Sequence, residues 1–186
     1  MEGGMKKKNN GDIFSTTNTL KILSFLVENP GKEFLGSEIQ KAAAISRAGV
    51  YIALRELIRQ KFVRKIKKGK FLIYSVVYDE PVLKQFKVMR NTQLLKPIVD
   101  KFKQLSKKII LYGSASRGED DPKSDIDLFI LAKDPEAVKS IISGVKTKRK
   151  IQSVIKSPSE FADFKDKEKV YYDEVNRGIT LWEEKE

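Results

Sequence analysis

Residues 111–131 read LYGSASRGEDDPKSDIDLFIL, in which a Gly-Ser pair is followed by two closely spaced aspartates. An apolar strand is predicted to end at Gly113-Ser114, where glycine permits a sharp turn and the following main-chain amides can face a triphosphate. Ten residues later, Asp125 and Asp127 flank Ile126. Side chains alternate across a strand, so both carboxylates project from one face. Two such carboxylates can bind Mg²⁺, which prefers oxygen ligands and usually retains substrate phosphates. The sequence therefore predicts a phosphate-and-metal site.

The joint spacing of Gly-Ser and Asp-x-Asp, with a predicted strand before each half, resembles the signature of the DNA polymerase beta-like nucleotidyltransferase superfamily. The short length is similar to its minimal nucleotidyltransferase branch. The resemblance implies that Gly113 and Ser114 open a short helix that binds a nucleoside triphosphate, with ATP the expected nucleotide. It also implies that Asp125 and Asp127 are the catalytic pair and ligate Mg²⁺ or Mn²⁺. Arg117 either contacts a phosphate of the nucleotide or pairs with the acidic residues 119–121.

The third carboxylate that the resemblance implies, on a later strand, has no clear counterpart. The candidate strand, residues 149–156, has Gln152 at the expected position. An amide is neutral at every pH and is a poorer Mg²⁺ ligand, so Gln152 cannot serve as a general base, and the chain has no histidine to replace it. Glu160 and Asp163 follow the strand and are the alternative acids, although residues 157–160 show a pattern typical of a helix start, with Ser157 or Ser159 as the cap. The sequence therefore favours a site that binds a nucleotide and a metal ion over one that transfers a nucleotidyl group efficiently.

Composition narrows the class of protein. A chain of 186 residues, 40% hydrophobic and 33% charged, can bury one modest core or two small ones, and two is the better interpretation. The chain has no cysteine, which excludes disulfides and thiolate metal sites and is compatible with a reducing cytosol. No apolar run approaches the roughly 20 residues that span a bilayer, and no signal-peptide core is present. We expect a soluble, cytoplasmic protein with no membrane partner.

The positive charge is concentrated toward the N-terminus. The chain has a net charge of +12. Residues 1–79 contain 15 lysines and arginines against 7 acidic residues, and residues 80–112 contain 8 against 2, whereas residues 113–186 contain 14 against 16. A basic module of this size indicates a polyanionic partner, most often nucleic acid, and the alternative is a lysine-rich solvated surface.

The sequence pattern of the N-terminal module favours nucleic acid as the binding partner over a merely solvated basic surface. Residues 1–11 have little apolar content and are predicted to be a disordered basic tail. Residues 12–79 show three helical patterns, the second predicted to be capped by Ser37 and the third by Ser46, and then a hairpin with a lysine-rich tip. Three helices followed by a basic hairpin resemble the winged helix-turn-helix domain of small prokaryotic transcription regulators, and the resemblance implies double-stranded DNA as a partner.

In such domains the third helix enters the major groove by its N-terminal half, and the hairpin reaches the backbone or the minor groove. Arg47 is the candidate for a guanine edge, and Tyr51 for a phosphate or a thymine methyl group, with Ser46 at the start of the same helix. The other predicted DNA-binding residues are basic and would contact phosphates without reading sequence: Arg55, Lys67, Lys68 and Lys70. For each residue alone, a solvated side chain on an amphipathic surface is the alternative.

Residues 80–106 are predicted to form a connecting helical segment, with Val82, Phe86 and Met89 on one apolar stripe and Pro97 kinking or dividing it. This segment is expected to pack on the transferase sheet or against a second copy, and we expect a homodimer because regulators of paired half-sites are commonly dimers. Residues 107–186 are predicted to form the minimal nucleotidyltransferase-like domain. The predicted fold class is α/β (α+β), a winged helix-turn-helix domain followed by a small mixed sheet flanked by helices.

Three functions fit these patterns. The preferred one is a DNA-binding transcription regulator whose nucleotidyltransferase domain binds Mg²⁺ and a nucleoside triphosphate. The second is an active nucleotidyltransferase that transfers AMP from ATP to a protein or small-molecule hydroxyl. This activity resembles that of minimal nucleotidyltransferases that act as antitoxins by modifying a helical HEPN-type toxin. If the second function holds, such a toxin would be a further partner. The third is a catalytically inactive platform for dimerisation or protein docking.

Overall fold

The described part of the computed structural model is residues 17–185, apart from the side chains of residues 165 and 166. The chain divides into two units with the boundary between Tyr78 and Asp79. The tail predicted at residues 1–11, and the first residues of the first predicted helix, lie outside the described residues. No helix within the described range is long and apolar enough to cross a membrane.

The first unit combines three helices with a small antiparallel sheet. Its strands lie in the order β1-β3-β2, and β2 and β3 form the predicted hairpin. Buried apolar side chains from all three helices, among them Ile22, Ile39 and Leu54, form its core. The elements are α1 (Asn18–Val27), β1 (Phe34–Leu35), α2 (Gly36–Ala43), α3 (Arg47–Arg59), β2 (Val63–Lys68) and β3 (Phe71–Val76).

One of the two predicted helix caps in this unit is confirmed and the other is wrong. The Ser46 hydroxyl accepts a hydrogen bond from the Gly49 amide at 3.1 Å and caps α3 as predicted. Ser37 does not cap α2, because the chain passes directly from β1 into the helix and places Ser37 inside the first turn. Instead, the Glu38 carboxylate accepts a hydrogen bond from the Leu35 amide at 2.7 Å.

The second unit is a four-stranded mixed sheet in the order β6-β5-β4-β7, in which β5 and β6 are parallel and the other neighbours antiparallel. The α+β class and the mixed sheet flanked by helices are thereby confirmed. The elements are α4 (Pro81–Val99), a 3-10 turn (Lys103–Leu105), β4 (Ser106–Tyr112), α5 (Gly113–Arg117), β5 (Ile126–Ala132), α6 (Pro135–Ser143), β6 (Ile151–Lys156), α7 (Pro158–Lys167), α8 (Lys169–Asn176) and β7 (Ile179–Glu183).

The two faces of this sheet bury different clusters. On one face, Leu128 and Ile130 of β5 pack with Leu95 of α4 and Val138 of α6. On the other, Phe129 stacks on Phe164 of α7 with ring centroids 5.4 Å apart, in a cluster that also includes residues of α8. Alternation along β5 therefore directs the even-numbered side chains to the first cluster and the odd-numbered ones to the second, as predicted.

Helix α4 packs on the sheet through a different stripe from the predicted one. Leu83, Val88 and Leu95 are buried, whereas Val82 and Met89 are 56% and 51% exposed. The buried stripe also contains the polar side chains Lys87 and Asn91, which form hydrogen bonds to Asp120 in the loop after α5. Of the two effects predicted for Pro97, a kink or a division, the division is wrong, because α4 continues through this residue to Val99. Pro97 lies in the last turn of the helix and has no main-chain N–H, so the helix lacks one hydrogen bond there and still continues.

Candidate functional site

The turn at Gly113 brings the two halves of the signature together. Strand β4 ends at Tyr112, and α5 begins at the next residue, with Gly113 in the left-handed region at φ +67°. A Cβ atom added at Gly113 would lie 3.2 Å from Cγ of Asp127 and closer still to its Oδ2. Only glycine lets the Asp127 carboxylate lie against this turn while the backbone keeps a positive φ.

The two aspartates of the signature lie at the start of β5, one of the two inner strands of the sheet. Asp125 directly precedes the strand, Asp127 is its second residue, and both are partly buried. Burial, and then the negative charge of Asp125, raise the pKa of the Asp127 carboxyl above its ordinary value. The carboxylates are thus close enough to repel each other, and a divalent cation between them would relieve this repulsion. The pair suits a Mg²⁺ ion that completes its shell with substrate phosphates and water.

Among residues 17–185, no group of three or more acidic, histidine or cysteine side chains forms a candidate metal cage. Gln152 of β6 is the register partner of Asp127 in the parallel pair of strands β5 and β6. Register partners point to the same face, so the neutral amide lies beside the carboxylate where a third acid was expected.

The two alternative acids are engaged elsewhere. Glu160 accepts hydrogen bonds from the main-chain amide and the hydroxyl of Ser157, each at 2.7 Å, and completes the capping box of α7. Asp163 pairs with Lys167 at 2.6 Å one turn along the same exposed helix surface. Of the two predicted caps of this helix, Ser157 is the one confirmed, and both alternative acids have their partners within α7 and its cap.

The residues of this site lie within a region that matches a known protein family. The model of the family described as polymerase beta, nucleotidyltransferase, matches residues 93–186, just over half of the 186-residue chain. The chain belongs to this nucleotidyltransferase family. No curated protein and no solved structure matches it. The matched region contains the Gly-Ser turn, both aspartates and Gln152.

Arg117 of the nucleotidyltransferase domain pairs with acidic side chains. Its Nε donates to Glu119 at 3.0 Å and its Nη1 to Glu174 of α8 at 2.8 Å. Pairing was one of the two roles predicted for this residue. Because both ion pairs are largely solvent-exposed, each contributes little to stability, and a phosphate could displace either carboxylate from the guanidinium.

Two tyrosines next to Asp127 were not identified from the sequence. Tyr112 is the register partner of Asp127 across β4 and β5, and its hydroxyl lies 2.6 Å from that of Tyr171 in α8. Burial, followed by the hydrogen bond between them, raises the pKa of Tyr112, and burial raises that of Tyr171. Both hydroxyls are therefore neutral near pH 7. Alternation along β4 could have indicated Tyr112, but nothing local indicates Tyr171.

Asp120 is another buried polar residue of this region that the sequence did not indicate. It is only 2% exposed and bonds to side chains from both α4 and the segment before β6. In the sequence it is the middle of three consecutive acids, Glu119-Asp120-Asp121, a pattern that normally indicates a solvated loop. Its neighbours Glu119 and Asp121 are indeed exposed.

In the first unit, the residues predicted to contact DNA are solvent-exposed. Arg47, Tyr51 and Arg55 follow one another at four-residue spacing along α3, and the Arg55 guanidinium lies 6.0 Å from the centre of the Tyr51 ring. Ser46 uses its hydroxyl to cap the same helix. The remaining predicted contacts are the exposed hairpin lysines Lys67, Lys68 and Lys70, of which Lys68 pairs with Glu33 at 2.6 Å.

Proposed function

We propose that the nucleotidyltransferase domain binds a nucleoside triphosphate together with Mg²⁺ or Mn²⁺, and that ATP is the nucleotide. The observation that carries the proposal is the Asp127 carboxylate lying against the Gly113 turn and interacting with Asp125. Asp125 and Asp127 would hold the metal ion. Ser114 and the main-chain amides of α5 would contact the phosphates, and Arg117 would offer a further cation.

The chemistry expected of this site is binding in preference to rapid transfer. A bound Mg²⁺ would neutralise phosphate charge, which is most of what phosphoryl and nucleotidyl transfer needs from its surroundings. Removing the proton of an acceptor hydroxyl needs a base, and the nearest side chains in the same row, Gln152 and Tyr112, are neutral. Any transfer of a nucleoside monophosphate to a hydroxyl is therefore expected to be slow unless an acceptor or partner supplies the base.

Thermal melting with ATP, CTP, GTP and UTP, each with and without Mg²⁺, tests the proposal. We expect a Mg²⁺-dependent rise in melting temperature that the Asp125→Asn/Asp127→Asn variant loses. Ligand at 100 times its Kd stabilises a protein by about 2.7 kcal/mol, which such a melt detects readily. Asp163→Asn, which removes an exposed acid outside the site, should keep the shift. Absence of a shift with all four triphosphates would overturn the proposal.

A second prediction concerns the missing third acid. Gln152→Glu adds a carboxylate to the face that carries Asp127 and should strengthen metal binding, because affinity rises with the number of charged ligands. We expect the Mg²⁺ concentration for half-maximal stabilisation at saturating ATP to fall by roughly tenfold, about 1.4 kcal/mol. The protein without ligand should become less stable through the added repulsion. Gln152→Met is the control, and an unchanged Mg²⁺ midpoint in Gln152→Glu would place residue 152 outside the metal site.

We further propose that the first unit binds double-stranded DNA. In favour of this proposal, Arg47, Tyr51 and Arg55 form one exposed row on α3, and the hairpin of the same unit has an exposed basic tip. Residues 1–79 contain 15 basic against 7 acidic residues, so their electrostatic potential attracts polyanions. Helix α3 would read base edges and the hairpin lysines would contact phosphates, which are the two roles that specific binding requires.

Selection from a random duplex library, followed by titration of the selected and random duplexes, tests DNA binding. Arg47→Ala should relax preference at one base pair by about 1 to 3 kcal/mol. Lys67→Ala should weaken binding to all duplexes equally and reduce the salt slope by about one. Lys67 is chosen over Lys68 because Lys68 is already paired with Glu33. Lys139→Ala, an exposed change in α6, is the control. Equal affinity for every duplex would argue against a specific operator.

A further inference from the structure

Asp120 is a buried carboxylate that contacts two separate parts of the nucleotidyltransferase domain. Its Oδ1 accepts a hydrogen bond from Asn91 of α4 at 3.0 Å and lies 3.6 Å from Nζ of Lys87 on the same helix. Its Oδ2 accepts from Nη1 of Arg149, before β6, at 2.6 Å. Lys87 also donates to the main-chain oxygen of Asp120. The carboxylate thus joins α4 to the segment before β6.

The partners of Asp120 also bond to both halves of the candidate site. The amide nitrogen of Asn91 donates to the main-chain oxygen of Ala115 in α5, at 3.0 Å. Arg149 donates through Nε to the main-chain oxygen of Ser124 at 2.8 Å and through Nη2 to that of Asp125 at 3.0 Å. One side of the network therefore contacts the helix that begins at the Gly-Ser pair, and the other contacts the main chain at the first aspartate.

The charge balance makes Asp120 the centre of this network. The side chains of Lys87 and Arg149 are 8% and 17% exposed, and a single carboxylate lies between them. Without it, two largely buried cations would face each other unpaired, which is costly in a low-dielectric interior. Apolar side chains of similar volume would fill this space without buried charge, but they would not form the hydrogen bonds to α5 and to the main chain at Ser124 and Asp125.

We propose that Asp120 is a positioning residue that sets the distance between the Gly-Ser turn and Asp125, acting through Asn91 on one side and Arg149 on the other. The proposal rests on the proposed nucleotide and metal site, because it assigns Asp120 a purpose at that site. It implies that changing the geometry of the network weakens Mg²⁺ binding, an effect that a general loss of stability would not produce.

Arg149→Lys is the sharpest variant. A lysine keeps the positive charge opposite Asp120, but its single ammonium group cannot reproduce the planar fork that serves Asp120, Ser124 and Asp125 together. We expect the Mg²⁺ concentration for half-maximal stabilisation at saturating ATP to rise by about 10-fold to 100-fold, the range typical of groups that orient a metal ligand. Asp120→Asn should give the same change. Val138→Ala, a buried change in α6, should lower the melting temperature without moving the Mg²⁺ midpoint.

Hydrogen exchange of the protein without ligand keeps the test independent of nucleotide binding. Arg149→Lys should accelerate exchange of the amides of residues 124–127 more than it accelerates exchange across the domain, and Asp120→Asn should do so for residues 114–119 as well. Uniform acceleration, as expected for Val138→Ala, would overturn the positioning role, as would an unchanged Mg²⁺ midpoint in Arg149→Lys. If the unmodified protein shows no Mg²⁺-dependent shift, the proposed nucleotide site fails, and the exchange pattern still decides whether Asp120 positions these segments.

Discussion

Gly118→Ala is expected to lower the free energy of unfolding of the nucleotidyltransferase domain by about 2 to 5 kcal/mol. Gly118 ends α5 with φ +69°, a conformation that L-residues adopt only with strain. A Cβ atom here would also lie 2.9 Å from the carbonyl carbon of Lys84 and closer still to its oxygen. These atoms belong to the backbone of α4, which cannot rotate away as a side chain would.

Urea unfolding of Gly118→Ala and of Gly69→Ala separates the backbone strain of a positive φ from the close approach to the Lys84 backbone. Gly69 has φ +59° but nothing within 4 Å of an added Cβ, so its substitution measures backbone strain alone, about 1 kcal/mol. An equal loss in both variants would mean that α4 yields easily and that the close approach at Lys84 is unimportant.

Gly113→Ala should have the opposite balance of effects, a modest loss of stability and a severe loss of binding. Its Cβ would meet the end of the Asp127 side chain instead of a backbone, and the carboxylate can turn away. We expect strain of about 1 to 3 kcal/mol from the positive φ. Displacing a metal ligand should raise the Kd for Mg²⁺-ATP by about 100-fold or more, which removes roughly 2.7 kcal/mol or more of the stabilisation by ligand.

Melting and urea unfolding with and without Mg²⁺-ATP measure both effects of Gly113→Ala. Gly31→Ala is the matched control, because Gly31 has φ +73° and open space around an added Cβ. The control should lose a similar amount of stability and keep the full shift with ligand. If Gly113→Ala also keeps that shift, then the position of Asp127 against the turn is not required for binding.

The parts of the site that could be predicted are those that depend on neighbours in sequence. Alternation along β5 correctly separates Asp127 from Leu128, and Ser46 correctly marks the start of α3. The strand that carries Gln152 was also correctly predicted, because its apolar alternation is local. These features need only a few consecutive residues, so secondary-structure periodicity is sufficient to find them.

The parts that were missed depend on contacts between distant residues. Asp120 is buried because Lys87 and Arg149, about thirty residues away on either side, neutralise it, and no local pattern records this. The same contacts explain the error on α4. Two apolar stripes follow this helix at similar spacing, and the buried one also carries Lys87 and Asn91, polar side chains that a hydrophobic pattern assigns to solvent.

The packing of α4 also bears on where this protein can be divided. The family match begins at residue 93, inside the helix, whereas the folded unit begins at Asp79. A fragment starting at residue 93 would lack Lys87, Asn91 and the Lys84 backbone against which Gly118 rests. The nucleotidyltransferase signature is therefore transferable to another protein only together with the helix that precedes it. A gene fusion or recombination event that keeps this domain functional is therefore expected to place the junction with another protein between Tyr78 and Pro81.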